Sequence, residues 1–190
     1  MAGIVTWAFE FEDQPYFAGF RELASNGLDK PVLNAFRMFG LLSNNRIEAT
    51  SSAALDTDQV LHDGVRQKPD VNVIATRSEN SVEVMLWNYH DDDLPAAATS
   101  VNVTISGFPE KVTHAMLQHF RIDSAHSNAF AAWKDLGSPQ SPTPDQYQKL
   151  ESAGQLQLLT SPAWVHIQHG TAQLQVELPR QGVSLMKVEW

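Results

Sequence analysis

The sequence predicts a mainly β chain: an antiparallel β-sandwich with a short β-α unit before it and one or two inserted helices. Three observations lead there. From Arg46 onward, short runs of alternating apolar and polar residues are separated by polar turns, as in strands with one face in a core and one in solvent. The opening Gly3-Ile4-Val5-Thr6-Trp7-Ala8-Phe9 is apolar and aromatic without alternation, the pattern of a strand covered on both faces, as in a parallel sheet. Between them, Val32, Ala35, Phe36 and Phe39 recur at i, i+3, i+4 and i+7, which makes one broad apolar helix face.

Taken in order, the strand at Ile4 to Phe9 cannot stand alone, because its backbone groups need partners. A loop through Asp13-Gln14-Pro15 leads to Asn26-Gly27-Leu28-Asp29-Lys30-Pro31, a turn into the helix with Asp29 as N-cap and Pro31 in the first turn. Eight strands follow: Arg46 to Ser51, Val71 to Arg77, Val82 to Tyr89, Ser100 to Ser106, Val112 to Ile122, Trp164 to Gln168, Ala172 to Leu178 and Val183 to Trp190. Ser78-Glu79-Asn80-Ser81 forms a hairpin turn, after which Val82, Val84 and Leu86 share one face and Glu83, Met85 and Trp87 the other. Two helices interrupt the strands, Ala125 to Leu136 and Thr143 to Ala153, the second with Thr143 as cap and Pro144 at its first position. The Pro-rich Ser138 to Pro144 is short enough to be a rigid connector rather than an interdomain linker.

Composition narrows the function. The 190 residues are 43% hydrophobic, which supports a real core, and aromatic residues run from Trp7 to Trp190. A net charge of -9 repels nucleic acid and anionic lipid surfaces. The apolar run Ile4 to Phe9 is far short of the ~20 residues of a membrane span, and no basic segment precedes it as in a signal peptide. The absence of cysteine rules out disulfides, a thiolate nucleophile and zinc-cysteine sites. It fits the cytoplasm, with the periplasm as the alternative. Nothing in the sequence calls for a cofactor or a metal.

Thr6-Trp7-Ala8-Phe9-Glu10-Phe11-Glu12-Asp13-Gln14-Pro15-Tyr16-Phe17 through Arg21, with Asn26 to Asn34, resembles the last barrel strand and following helix of bacterial glycoside hydrolase family 39 β-xylosidases. Asn88-Tyr89-His90-Asp91-Asp92-Asp93, Phe120 to Asp123 with His126-Ser127-Asn128, Trp133-Lys134 to Gln140, and Leu178-Pro179-Arg180-Gln181-Gly182-Val183 look like the same family's C-terminal sandwich. The resemblance implies a remnant of the last β-α unit of a (β/α)8 barrel over residues 1–43 and an accessory sandwich over 44–190. It implies a retaining exo-glycosidase that releases xylose from xylo-oligosaccharides. Retention needs two carboxyl groups about 5–5.5 Å apart. The family's acid/base lies in an Asn-Glu-Pro motif after the fourth strand and its nucleophile after the seventh, and the 190 residues contain no Asn-Glu-Pro. The expectation is a truncated chain without catalytic residues. Trp7 falls where the family places an aromatic under the xylose, with Glu10, Glu12 and Asp13 in the loop above it.

Each candidate has a plainer reading. Glu10 and Glu12 lie two apart, about 7 Å on one side of an extended segment, so they cannot flank opposite faces of a glycosidic bond and read as sugar-contacting or loop-structuring carboxylates. Trp7 stacks on sugar or belongs to the barrel core. His90-Asp91-Asp92-Asp93 lacks the spaced ligands of a calcium loop and reads as a solvated turn. His114 and His119 face opposite sides of one strand, His166 and His169 straddle a strand end, and the histidines read as surface or edge residues. Xylose or a xylo-oligosaccharide is the expected ligand once the barrel is completed, and self-association through the orphan strand and the helix face is expected otherwise. The alternative is a non-catalytic carbohydrate-binding or structural module.

Overall fold

The computed structural model describes residues 8–11, 13–19 and 22–190. Most of the strand expected at Ile4 to Phe9 therefore lies outside the described residues, although Ala8 makes a parallel bridge to Glu22. The chain folds as two compact units, one of Met1–Gly40 with Ile122–Gln157, the other of Leu41–Arg121 with Leu158–Trp190. Among the described residues no helix is long and apolar enough to cross a membrane.

In the first unit, β1 (Ala24–Ser25) and β2 (Leu28–Asp29) form a two-residue hairpin around Asn26 and Gly27. Both turn residues have positive φ, 51° and 78°, as a tight hairpin turn demands. Pro31 then opens α1 (Pro31–Gly40). The expected apolar stripe of α1 is only half covered: Val32 is exposed, Ala35, Phe36 and Phe39 are partly exposed, and Asn34 and Met38 are the buried pair. Asn34 takes the inner position because its amide is fully satisfied there. It donates to Ser127 O at 2.9 Å and Gly154 O at 2.7 Å, and its Oδ1 accepts from Arg37.

Those acceptors lie just before the inserted helix α3 (Ala129–Asp135) and at the end of α4 (Pro144–Gly154), so the two insertions fold back onto the N-terminal β-α segment. α3 starts later than the sequence suggests. Asp123 Oδ1 draws the Ala125 and His126 amides into a turn, Ser127 has φ 54°, and Asn128 then caps the helix through Ala131 N. α4 carries a complete capping box between Thr143 and Gln146. Leu28, Met38, Ala129 and Leu150 form the inner layer of this unit.

The second unit is the sandwich. Its large sheet runs β3 (Asn45–Ile47), β4 (Asp70–Arg77), β5 (Ser81–Tyr89), β11 (Val183–Glu189), β7 (His114–Ile122) and β8 (Gln157–Leu158), with β9 (Ala163–His166) also on β7. The pairs β3–β4, β4–β5, β5–β11 and β7–β9 are antiparallel. Across the core lies the two-stranded sheet β6 (Thr99–Ser106) and β10 (Thr171–Leu178), paired over eight residues. Val71, Val84, Leu86, Val103, Ile105, Val176, Leu178 and Val188 fill the space between them. One helix went unforeseen, α2 (Thr57–Asp63), which is capped by Asp56 and buries no residue, so it leaves no apolar stripe to read.

The period-2 reading of β5 holds for its inward face, but the other face is buried too. Glu83 is 1% exposed because three donors meet its carboxylate: Ser81 Oγ, Thr76 Oγ1 at 2.7 Å and Ser43 N at 3.1 Å. Burial pushes this carboxyl up, and the hydrogen bonds outweigh that and hold it below its ordinary value.

Candidate functional site

The loop that links Ala8 to β1 is tied down at many points, which gives its side chains fixed positions. Phe17 N donates to Ser25 Oγ at 2.7 Å, Tyr16 N to Gln140 Oε1 at 2.9 Å, and Asn26 Nδ2 to Gln14 O at 3.3 Å. Phe17 packs against Phe130 and Trp133 of α3 at centroid distances of 5.6 and 5.1 Å.

Two of the four expected sugar-contacting residues, Trp7 and Glu12, lie outside the described residues. Glu10 is half-buried, and its Oε1 accepts the Gly27 amide at 2.9 Å. Its second oxygen has no protein donor among the described residues. Asp13 is exposed at a turn with φ 56°, a conformation Asp tolerates better than most residues. Beside Glu10, Tyr147 donates from its hydroxyl to Asn26 O at 3.1 Å. Burial and then the neighbouring Tyr16, Glu151, Glu10 and Asp29 push that phenol up, so the region around the hairpin is acidic. Phe9 and Phe11 are 60% and 40% exposed on the same segment.

Sequence reasoning missed Glu22, which organises the loop from inside. Its side chain is 1% exposed and forms an ion pair with Lys30 at 3.1 Å, while its Oε2 accepts from Phe11 N. Lys30 Nζ also donates to Gly19 O at 2.7 Å, and a β-carbon at Gly19 would run into the Glu22 carboxylate. A carboxylate between a strand and a hairpin with a lysine eight residues on was the available signal.

Other readings change with the structure. Histidine is not uniformly a surface residue here. His90 and His119 are buried, the first with Nε2 2.8 Å from Arg66 O, the second 3.0 Å from Ser184 Oγ. The His90 to Asp93 run keeps its reading as a solvated turn at the aspartates: Asp91, Asp92 and Asp93 are all exposed, and Asp91 also accepts from Val65 N at 3.0 Å and pairs with Arg66. Among the described residues no group of three or more His, Asp or Glu is placed to hold a metal ion. The Asp123-to-Asn128 motif is a structural knot: Asp123 Oδ1 lies 2.9 Å from His126 Nδ1, and Asn128 Nδ2 donates back to Asp123 O.

A family model described as glycosyl hydrolases family 39 matches residues 5–166. A β-xylosidase from Caldicellulosiruptor saccharolyticus is 24% identical over 142 residues, which is 75% of this chain and 26% of that protein. A β-xylosidase from Geobacillus stearothermophilus is 23% identical over 184 residues, 95% of this chain and 32% of that protein. The crystal structure of the GH39 enzyme from Xanthomonas axonopodis pv. citri has the same fold, with TM-score 0.73 at 16% identity over 92% of this chain and 33% of that one. The chain thus spans about a quarter to a third of the length of the relatives it matches.

Proposed function

Because this chain belongs to glycosyl hydrolases family 39, we propose that it is the C-terminal portion of a retaining β-xylosidase acting on xylo-oligosaccharides, and that it supplies one wall of the xylose pocket. On this reading residues up to 43 are the last β-α unit of a (β/α)8 barrel and residues from 44 are the accessory sandwich domain, whose inserted segment Ile122–Gln157 folds with the N-terminal unit. The observation that carries it is coverage. The chain matches 26% and 32% of two β-xylosidases, and it has no Asn-Glu-Pro. Retention takes two carboxyl groups facing each other across the bond, and the reacting pair then belongs to the preceding part of the polypeptide.

Trp7 stacks on the sugar, and Glu10, Glu12 and Asp13 accept from its hydroxyls. Glu10 suits this because one oxygen is held by Gly27 N and the other, without a protein donor among the described residues, can meet a ligand. The cysteine-free composition suits a reducing cytoplasm, with the periplasm as the alternative that fractionation decides.

The test is turnover of a chromogenic β-xyloside. The chain alone is expected to be inactive, and co-expression with the preceding barrel strands is expected to give activity whose KM rises in Trp7→Ala and Glu10→Gln. Turnover by the isolated chain, abolished by Glu10→Gln or Glu12→Gln, overturns the reading. The exposed Phe9 and Phe11 beside Glu10 favour a second reading, a sugar-binding module in its own right. Calorimetry with xylobiose separates the two: heat of binding to the isolated chain supports the module, and a flat titration supports the pocket wall that binds sugar only with the rest of the barrel.

A further inference from the structure

We propose that His114 and His166 form a two-imidazole site for a divalent transition-metal ion on the outer face of the β7–β9 ladder. The two residues are direct cross-strand partners in the antiparallel register. Ile167 N donates to Thr113 O at 2.8 Å, so the preceding pair is hydrogen-bonded and His114–His166 is a non-hydrogen-bonded pair, the kind that brings side chains closest. Their ring centroids are 4.9 Å apart. With metal–nitrogen bonds of about 2.0–2.1 Å, each centroid stands about 3.2 Å from a shared ion, and 4.9 Å between centroids corresponds to about 100° at the metal, between square-planar and tetrahedral angles.

The remaining chemistry agrees. Both imidazoles are exposed and reachable. His114 Nδ1 lies 3.1 Å from Thr113 Oγ1. In the tautomer that donates through Nδ1 to the threonine hydroxyl, the Nε2 lone pair is left for a metal, the usual way a second partner fixes the ligating tautomer. With two protein ligands the other positions go to water, and imidazole selects Cu(II), Ni(II) or Zn(II), with Cu(II) binding tightest. Met116 and Trp164 are the next pair two residues along. They share the face, and Trp164 is 68% exposed. The ion would tie β9, which pairs only with β7 among the described residues, to that strand near one edge of the large sheet.

Cu(II) is titrated into the full chain with calorimetry and tryptophan fluorescence read together. The expected result is one site that quenches Trp164, with Trp164→Phe removing the quenched component but leaving the calorimetric affinity unchanged. His114→Ala and His166→Ala are each expected to weaken binding about tenfold or more, since each removes one of two ligands. Both variants are checked for an unchanged circular dichroism spectrum, and both residues are exposed enough for the fold to survive the change. Equal affinity in wild type and both variants overturns the proposal, because the ion then sits on other histidines and the 4.9 Å contact is ring packing only. Loss in one variant alone also overturns it, because a shared ion needs both rings.

Discussion

Burial holds the His119 imidazole down, Arg121 adds its positive charge to the effect, and the pKa falls from 6.5 to about 4. The ring is neutral at pH 7 and stays hydrogen-bonded to Ser184. Between pH 6.5 and about 4 the unfolded chain binds a proton that the folded chain refuses, so stability falls as the pH drops through that window. The loss reaches about 3 kcal/mol at its lower end. Glu83 and Asp123, both held below their ordinary values of 4.5 and 3.8, lose their contribution further down, as the pH falls through their lowered folded values. Urea unfolding of wild type and His119→Gln at several pH values between 7 and 4.5 should therefore show a flatter profile in the variant; parallel profiles would place the titration elsewhere. A second residue-scale expectation concerns Glu22. Replacing Lys30 by Met leaves a carboxylate that is 1% exposed without its counter-ion, at a cost of about 3 kcal/mol. The denaturation midpoint measures it, and adding Glu22→Gln to Lys30→Met should recover part of the loss.

At the scale of elements, the helix caps are the parts most open to a clean test. Thr143→Ala removes the acceptor for Gln146 N and unbalances the capping box, which should cost about 1 kcal/mol. Thr143→Ser should cost almost nothing, since it keeps the oxygen. This cap was legible because a Thr-Pro-x-Gln sequence before an apolar repeat has one local meaning. The core strands were legible for a similar reason: the alternation in Val71 to Arg77, Val82 to Tyr89 and Ala172 to Leu178 maps directly onto β4, β5 and β10. What could not be read was anything decided by a distant partner. The covered positions of α1 are Asn34 and Met38 because Asn34 meets carbonyls 93 and 120 residues away. Glu83 is buried because Ser43 and Thr76 reach it. His114 and His166 lie on different strands, so spacing within either strand says nothing of their meeting. Of the expected site, Glu10 and Asp13 can be followed in the structure, while Trp7 and Glu12 lie outside the described residues.

At the scale of the whole molecule, apolar surface is left without cover in both compact units. In the first, Val32 is 44% exposed on α1 with Phe36 and Phe39 partly exposed beside it, and Phe9 is 60% exposed. In the sandwich, β6 pairs only with β10 among the described residues. Next to β6 opens a cleft of about 620 Å³ lined by Val71, Val84, Val101, Val103 and Ile105. Unpaired strand edges and apolar patches both drive association. The net charge of -9 opposes it by mutual repulsion, which salt screens. We therefore expect self-association that grows with concentration and strengthens, rather than weakens, as salt is added. Sedimentation velocity at low and high ionic strength distinguishes this from pairing through surface charges, which salt would dissolve. Val32→Glu on α1 should reduce the association if the helix face is the contact, whereas persistence in that variant would direct attention to the β6 edge. A chain that stays monomeric at high concentration in high salt would show that these faces are too small or too wet to hold a second copy.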